Sequence, residues 1–497
     1  MADAEKIVRF LARPDVQRVF RWMTAKRPGR KSWLMRFFEA YAAGTVRAWD
    51  PRFALPYLMT EYIRARTGTP RETIAGRVLG NPATRHGLVA TVRSVGHLGL
   101  THPQNFVAPL MVVWNFTQAC NLTCKHCYQN AGARAEDELT FEQQKRLVDL
   151  LADRNVAMIA FSGGEPLMSP TFLPVARYAA DRGIHLTVAT NGTLCTAEKV
   201  QAMVEAGLRY VEISLDSVDP ARHDAFRGPR AWERAVAGIR NVVANPDVKC
   251  GVAMTVTRMN LEEMEPMLEW CIGEGVDTFY AFNFIPTGRG RDLVDLDLAP
   301  HERERMLAVL QRYLVGGRIS IMSSAPQYGR ACIELGDPTD PVNTGHYGYG
   351  GGTMTRVLAR YVGGCGAGRC YMAVQPNGDA TPCVFMPIHV GSFRTDSFET
   401  IWNHPVMQLL RDRDDRTGHC LTCEYKYHCG GCRARSWGYF RDLREPDPGC
   451  KFNEAAWQRL VGDTKTPPAG AAAPAARKRR AASSAVVTEN HRATTQG

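Results

Sequence analysis

Hydrophobic and polar positions change rhythm along the chain. Over the first hundred residues apolar side chains recur every three to four positions, as in IVRFLARPDVQRVFRWM and KSWLMRFFEAYAAGTVRAW. That spacing lines one face of a helix. Pro14, Pro28, Pro51, Pro56 and Pro70 punctuate these runs. The pattern predicts a small helical domain over 1–105. From about 109 onward, short apolar runs suited to buried strands alternate with amphipathic stretches. Strands are predicted at 111–116, 156–161, 185–190, 210–215, 250–256 and 278–284. Helices are predicted at 140–153, 170–182, 196–206, 231–244 and 260–273. Such alternation builds a parallel sheet, so residues 106–322 are expected to form an α/β partial or complete barrel of six strand–helix units. Functional residues of a barrel sit in loops at the C-terminal ends of its strands. Residues 323–364, rich in Gly and Tyr, read as a linking loop. A cysteine-rich module is expected over 365–462. The Ala/Pro/Arg-rich tail at 463–497 has no core-forming set and is expected to be disordered.

An apolar content of 45 % is ordinary for a globular protein. No apolar run reaches the roughly 18 residues of a membrane span. The start, MADAEKIVRF, lacks the basic and apolar regions of a signal peptide. Both absences point to the cytoplasm. The net charge of +11 belongs to the ends. Residues 1–105 hold 18 Lys and Arg against 7 Asp and Glu. A basic end can meet an anionic membrane, an acidic partner or nucleic acid, or can be a solvated face. Trp33, Phe37 and Phe38 give the membrane or acidic-leader version its apolar side chains.

Fifteen cysteines, an odd number mostly in two tight groups, read as metal ligands rather than disulfides. The first group, CNLTCKHC, places Cys120, Cys124 and Cys127 within eight residues, directly after a predicted strand. Three thiolates on one loop can wrap three irons of a cubane cluster, and without a fourth cysteine nearby one iron stays open. A zinc site is the alternative, but zinc motifs favour paired CxxC units.

This CxxxCxxC spacing resembles the signature of the radical S-adenosylmethionine (SAM) superfamily. The resemblance implies a partial (β/α)6 barrel, a SAM-binding 4Fe–4S cluster on Cys120, Cys124 and Cys127, and SAM itself as cofactor. It implies that Gly163, Gly164 and Glu165 of SGGEP meet the SAM amino group. Asn191 of the TNG segment would be a cofactor-binding residue, and Ser214 and Asp216 of ISLDS would hydrogen-bond the SAM ribose or neighbouring ligand. Arg227 would pair with the SAM carboxylate, and Thr257, with Asn260, would lie near the adenosyl group. A surface salt bridge is the plain reading of Arg227, and a helix N-cap that of Asn260. The IPTGRG segment after the sixth strand is also family-like. His126 stands where an aromatic residue usually precedes the third cysteine.

The second group comprises Cys365, Cys370, Cys383, Cys420, Cys423, Cys429, Cys432 and Cys450. The segments CGAGRCYMAVQPNGDATPC, CLTCEYKYHCGGC and PDPGC resemble the SPASM domain attached to many radical SAM enzymes. CGGC departs from the three-residue spacing of many members. The resemblance implies one or two auxiliary 4Fe–4S clusters, one on Cys365, Cys370, Cys383 and Cys432 and the other on Cys420, Cys423, Cys429 and Cys450. Structural zinc is the alternative. Cys195, Cys250, Cys271 and Cys332 lie in apolar or helical contexts and read as buried hydrophobes.

By that resemblance the chain is an enzyme. An electron from a donor such as a flavodoxin or ferredoxin cleaves SAM to methionine and a 5′-deoxyadenosyl radical, which takes hydrogen from a substrate. The CGGCRARSWGYFRD and APQYGR segments look most like the branch that decarboxylates or trims haem-type tetrapyrroles. Peptide maturation is the leading substrate alternative. A non-catalytic iron–sulfur electron carrier would keep the cysteines without needing GGE, ISLD or Arg227.

Overall fold

A computed structural model describes residues 8–462, except 26–30, 47–49, 68, 345–346 and 349–352. The tail expected to be disordered lies outside the described residues.

The N-terminal region is helical, as its periodicity requires: α1 (Pro14–Thr24), α2 (Trp33–Ala42), α3 (Ala54–Thr67) and α4 (Pro82–Leu98). Pro14 opens α1 rather than interrupting it, since a first-turn proline forfeits no intrahelical bond. Ser32 caps α2 by accepting from the Met35 amide, and Asn81 caps α4 by accepting from the Ala83 amide at 2.8 Å. Phe20, Met23, Leu34, Phe37, Tyr41 and Val89 form a separate small core. The expectation that Trp33, Phe37 and Phe38 offer a docking face is therefore corrected. Phe37 and Phe38 are buried, and Trp33 is half-buried against Trp22. Burying them stabilises the helical domain; the exposed apolar side chains here include Trp22, Leu58 and Tyr62.

The central unit alternates β1 (Met111–Thr117), α5 (Phe141–Asp153), β2 (Met158–Gly163), α6 (Phe172–Ala180), β3 (His185–Thr190), α7 (Ala197–Glu205) and β4 (Leu208–Ser214). It continues through α8 (Pro220–Arg227), α9 (Ala231–Val243), β5 (Lys249–Val256), α10 (Met264–Gly273), β6 (Thr278–Asn283), α11 (Pro300–Gly316) and β7 (Ser320–Ser323). Strands β1 to β7 pair in chain order, all parallel. Side chains alternate across each strand. Val112, Trp114, Ile159, Phe161, Leu186, Val188, Val211 and Ile213 pack outward under the helices. The intervening residues, among them Val113, Ala160, Ala189, Glu212 and Phe282, face the barrel interior and line a cavity.

Three features depart from expectation. A seventh parallel strand, β7, pairs with β6 beyond the six expected. The stretch read as a loop holds α12 (Gln327–Leu335) and α13 (Thr353–Val362). Tyr328, Ala331 and Cys332 of α12 enter the main core, which pays for ordering the segment. The C-terminal module also sends β8 (Tyr371–Val374) alongside β1 in parallel, followed by antiparallel β9 (Ala380–Thr381). Among the described residues the sheet runs β9-β8-β1-β2-β3-β4-β5-β6-β7. The module is fastened at the other side of the barrel by a buried network. Arg435 donates to Asp297 at 2.7 Å, Arg303 donates to Asp297 at 2.8 Å, and the Tyr439 hydroxyl donates to Asp297 at 2.8 Å. Among the described residues no helix is long and apolar enough to cross a membrane.

Candidate functional site

The loop after β1 carries Cys120, Cys124 and Cys127, and three other strand ends hold it in place. Gly163 takes φ +119°, and a Cβ there would meet the Thr117 carbonyl at 2.7 Å. A Cβ on Gly164 would lie 2.1 Å from the Ala119 carbonyl. The glycines thus let the β2 end lie directly on the base of the cysteine loop, with the Gly164 and Glu165 amides each donating at 2.7 Å to Thr117 and Ala119. From the β6 end, Arg289 donates its Nε to the Cys124 carbonyl at 2.9 Å and its Nη1 to the Ala131 carbonyl at 2.6 Å. The Arg289 amide adds a bond to the Cys127 carbonyl at 2.9 Å. Sequence reasoning flagged IPTGRG only as family-like; its arginine is a clamp on the cysteine loop.

Cys120, Cys124 and Cys127 line a cavity of about 500 Å³ that also touches Gly163, Gly164, Asn191, Ser214 and Arg227. Asn191 Nδ2 donates to Asn121 at 2.8 Å and reaches Cys120 Sγ at 3.9 Å. Burial pushes the Cys120 thiol up to about 11. It pushes Cys124 up as well, opposed by the charges of Arg227 and Arg289. Thiolates are needed for metal ligation, and two nearby guanidinium groups favour them.

Arg227 is not a surface salt bridge. Its Nε donates to Asp216 Oδ2 at 2.6 Å, and both side chains are buried. Among the described residues its one hydrogen bond uses Nε, and the side chain borders the cavity. Asp216 also accepts from the Thr255 amide at 2.9 Å and lies 3.5 Å from His126 Nε2. Burial alone would raise the Asp216 carboxyl, but Arg227 and His126 hold it down at about 2. His126 stacks on Phe226 with ring centres 4.1 Å apart and planes 9° from parallel. Burial pushes His126 down to about 3, keeping it neutral.

Two of the expected residues point elsewhere. Glu165 is fully buried behind the glycines. It accepts from the Thr190 hydroxyl and the Asn191 amide, both at 2.9 Å, and from the Leu167 amide at 3.1 Å. Its carboxyl, raised by burial to about 6 against those hydrogen bonds, ties the β2 and β3 ends together. Thr257 is buried outside the lining, with its amide donating to Asn260 Oδ1 at 2.8 Å. Asn260 does not cap the next turn; its Nδ2 donates to the carbonyls of Asp216 at 2.8 Å and Thr255 at 3.0 Å, bridging β4 to β5.

The second cysteine group divides in space. Cys365, Cys383 and Cys432 border the same cavity as the first loop. Cys383 Sγ accepts from the Tyr371 hydroxyl at 3.6 Å. Cys370 is buried nearby with its thiol on the Gly366 carbonyl at 3.8 Å. Burial raises the Cys429, Cys450 and Cys423 thiols, and the nearby Cys420 adds to the rise of each. Cys420 Sγ accepts from Asn453 Nδ2 at 3.5 Å, and Cys429 Sγ from the Gly431 amide at 3.3 Å. Among the described residues no three Cys, His or carboxylate side chains converge tightly enough for a single metal ion. Cys195, Cys250, Cys271 and Cys332 are buried in the barrel core.

Residues 114–271 match the family described as the radical SAM superfamily, and residues 365–424 match the iron–sulfur cluster-binding domain SPASM. The AdoMet-dependent heme synthase of Methanosarcina barkeri is 34 % identical over 350 residues, which cover 69 % of this chain and 97 % of that protein. The chain belongs to the radical SAM superfamily. The mycofactocin maturase MftC of Mycolicibacterium smegmatis is 28 % identical over 73 % of this chain and 88 % of its own length. In fold, this radical SAM enzyme is similar to Streptococcus suis SuiB bound to S-adenosylmethionine, with a TM-score of 0.60 at 17 % identity over 85 % of this chain and 93 % of that one. Membership of the family brings reductive SAM cleavage and radical chemistry, which sets aside the carrier reading. It also brings binding of SAM and of iron–sulfur clusters.

Proposed function

We propose that this radical SAM enzyme oxidatively modifies or decarboxylates a haem-type tetrapyrrole precursor. The similarity to the M. barkeri heme synthase across almost that protein's whole length carries the reading. A cavity of about 500 Å³ is within the range of cofactor-sized ligand sites.

The donor set fits the expected groups: three thiols on one clamped loop, soft donors with cationic neighbours, beside an open cavity. Cys120, Cys124 and Cys127 would hold the SAM-binding cluster. When bound, cluster and SAM supply the electron and the 5′-deoxyadenosyl radical. Gly163 and Gly164 allow close backbone approach to the SAM amino group. The Arg227 Nη groups, aimed by the Asp216 contact, meet its carboxylate as a charge-assisted pair. Asn191 and Ser214 offer polar atoms to the ribose side of the cavity. Glu165 and Thr257 act one layer behind, positioning those strand ends. Cys365, Cys370, Cys383 and Cys432 would hold one auxiliary cluster, and Cys420, Cys423, Cys429 and Cys450 a second. The first would face substrate across the barrel interior. An external flavodoxin or ferredoxin would supply electrons.

Incubating the anaerobically reconstituted enzyme with SAM, dithionite and iron coproporphyrin III tests the reading. Loss of carboxyl groups from the tetrapyrrole by mass spectrometry supports it. SAM cleavage that leaves the tetrapyrrole intact would turn attention to peptide maturation, the reading favoured by similarity to MftC.

A further inference from the structure

Glu212 is a carboxyl group in an unusual place. It lies mid-strand on β4 and faces the barrel interior, where it lines the cavity that Cys124 and Cys383 also line. Its sheet neighbours are Ala189 on β3 and Gly251 on β5, neither of which has a side-chain donor. The Gly251 position cannot supply one, because a Cβ there would lie 2.0 Å from the Tyr210 hydroxyl. No hydrogen bond or ion pair is made by the Glu212 carboxyl among the described residues, in contrast to Glu165 and Asp216, which are fully engaged. The ionisable groups that feel its charge are phenols: Tyr128 from the cysteine loop, Tyr210 on its own strand and Tyr280 on β6. All three phenols are raised by burial and stay neutral. His185 on β3, Arg209 on β4 and Lys249 on β5 line the same cavity nearer the strand starts, with Lys249 beside Tyr210.

Glu212 is half-buried at the cavity wall, and a carboxyl partly desolvated there without a protein partner carries a cost that a ligand can relieve. The apolar surroundings make the neutral acid the stable form, so the group presents one O–H donor to the cavity. We propose that Glu212 is a substrate-binding residue whose carboxyl hydrogen-bonds an oxygen of the substrate inside the cavity that both cysteine groups line. On the tetrapyrrole reading, from which this inference takes its ligand, that oxygen belongs to a propionate side chain. A donor at this depth fixes which side chain stands next to the radical source.

The geometry suits this role in a second way. Beside Glu212 the wall is small at Ala160, Ala189, Ala253 and Gly251, while Tyr128, Tyr210 and Tyr280 bound the space that remains. Space is left around one polar group, which is how a ligand site sets orientation.

Iron coproporphyrin III binding to the full-length, cluster-loaded protein, followed by its visible absorption band, tests the contact. Wild type, Glu212→Gln and Glu212→Leu are compared from pH 6.5 to 9. Iron content and circular dichroism establish that each variant is folded and loaded. Gln keeps a donor of the same shape; Leu does not. The expected result is affinity within about threefold of wild type for Gln and at least tenfold weaker for Leu. Wild-type affinity should fall as pH passes about 8, where burial has placed the Glu212 carboxyl, and the Gln variant should lack that fall. Leu binding as well as wild type, Gln binding as poorly as Leu, or the same pH profile in wild type and Gln would each overturn the Glu212 contact while leaving the tetrapyrrole reading standing. No saturable binding by wild type would overturn the tetrapyrrole reading, and the propionate contact with it.

Discussion

Arg227 Nε donates to Asp216 Oδ2 at 2.6 Å inside the protein, joining the end of α8 to the end of β4 beside the cysteine loop. The pair aims a guanidinium group at the cavity and keeps Asp216 ionised. Removing one partner of a buried pair costs about 3–5 kcal/mol, because the other charge is stranded. Arg227→Ala is therefore expected to lower thermal stability by that order and to abolish measurable SAM binding in equilibrium dialysis. Asp216→Asn is expected to retain some SAM binding with a less well oriented arginine.

The pH dependence of stability follows from the same pair. Asp216 has a folded value of about 2, below its ordinary 3.8. Its contribution is thus complete above pH 3.8 and is lost as pH falls towards 2. Glu165 has the opposite sign. Its folded value of about 6 lies above the ordinary 4.5, so its contribution is complete below pH 4.5 and is lost as pH rises through 6. Glu165→Gln cannot ionise. Melting curves from pH 4.5 to 7 should show wild type losing ground to this variant as pH rises.

Arg289 makes two side-chain bonds to carbonyls of the cysteine loop. Hydrogen bonds from a charged donor contribute about 1.5–3 kcal/mol each. Arg289→Ala should leave the barrel folded and reduce iron retained by the first loop. Iron and sulfide counts on a variant that also lacks the C-terminal cysteines would measure this, with Arg289→Lys intermediate.

The strands were readable because parallel strands covered by helices are nearly continuous apolar runs, such as MVVWNF and TFYAFN. CNLTCKHC was readable because three thiols in eight residues have few other uses. Arg289 was not, because its partner Cys124 is 165 residues away and one arginine in a glycine-rich loop carries no periodic signal. The helix α12 was hidden because it buries Gln327 and Arg330 along with Tyr328 and Cys332, which blurs its apolar face. The pairing of β8 with β1 was equally invisible, since YMAV would suit any buried strand. Glu212 in β4 drew no notice, since only the closed barrel shows that the face of Tyr210, Glu212 and Ser214 looks inward.

Asp297 accepts from both Arg303 and Arg435, Asp447 lies 3.6 Å from Arg435 as a second carboxylate, and all four side chains are fully buried. Asp297→Ala would leave two guanidinium groups deprived of that partner where the C-terminal module meets the barrel. The expected loss is about 3–5 kcal/mol. Limited proteolysis should then release the module before the barrel is cut, whereas wild type should resist at both places.

The measurement closest to the central claim is 5′-deoxyadenosine formation by anaerobically reconstituted enzyme with SAM and dithionite, in the presence of iron coproporphyrin III. Wild type should produce it, and Cys124→Ala should not. Deoxyadenosine formed by the Cys124→Ala variant at the wild-type rate, or none formed by iron-loaded wild type, would contradict the assignment of SAM cleavage to this loop.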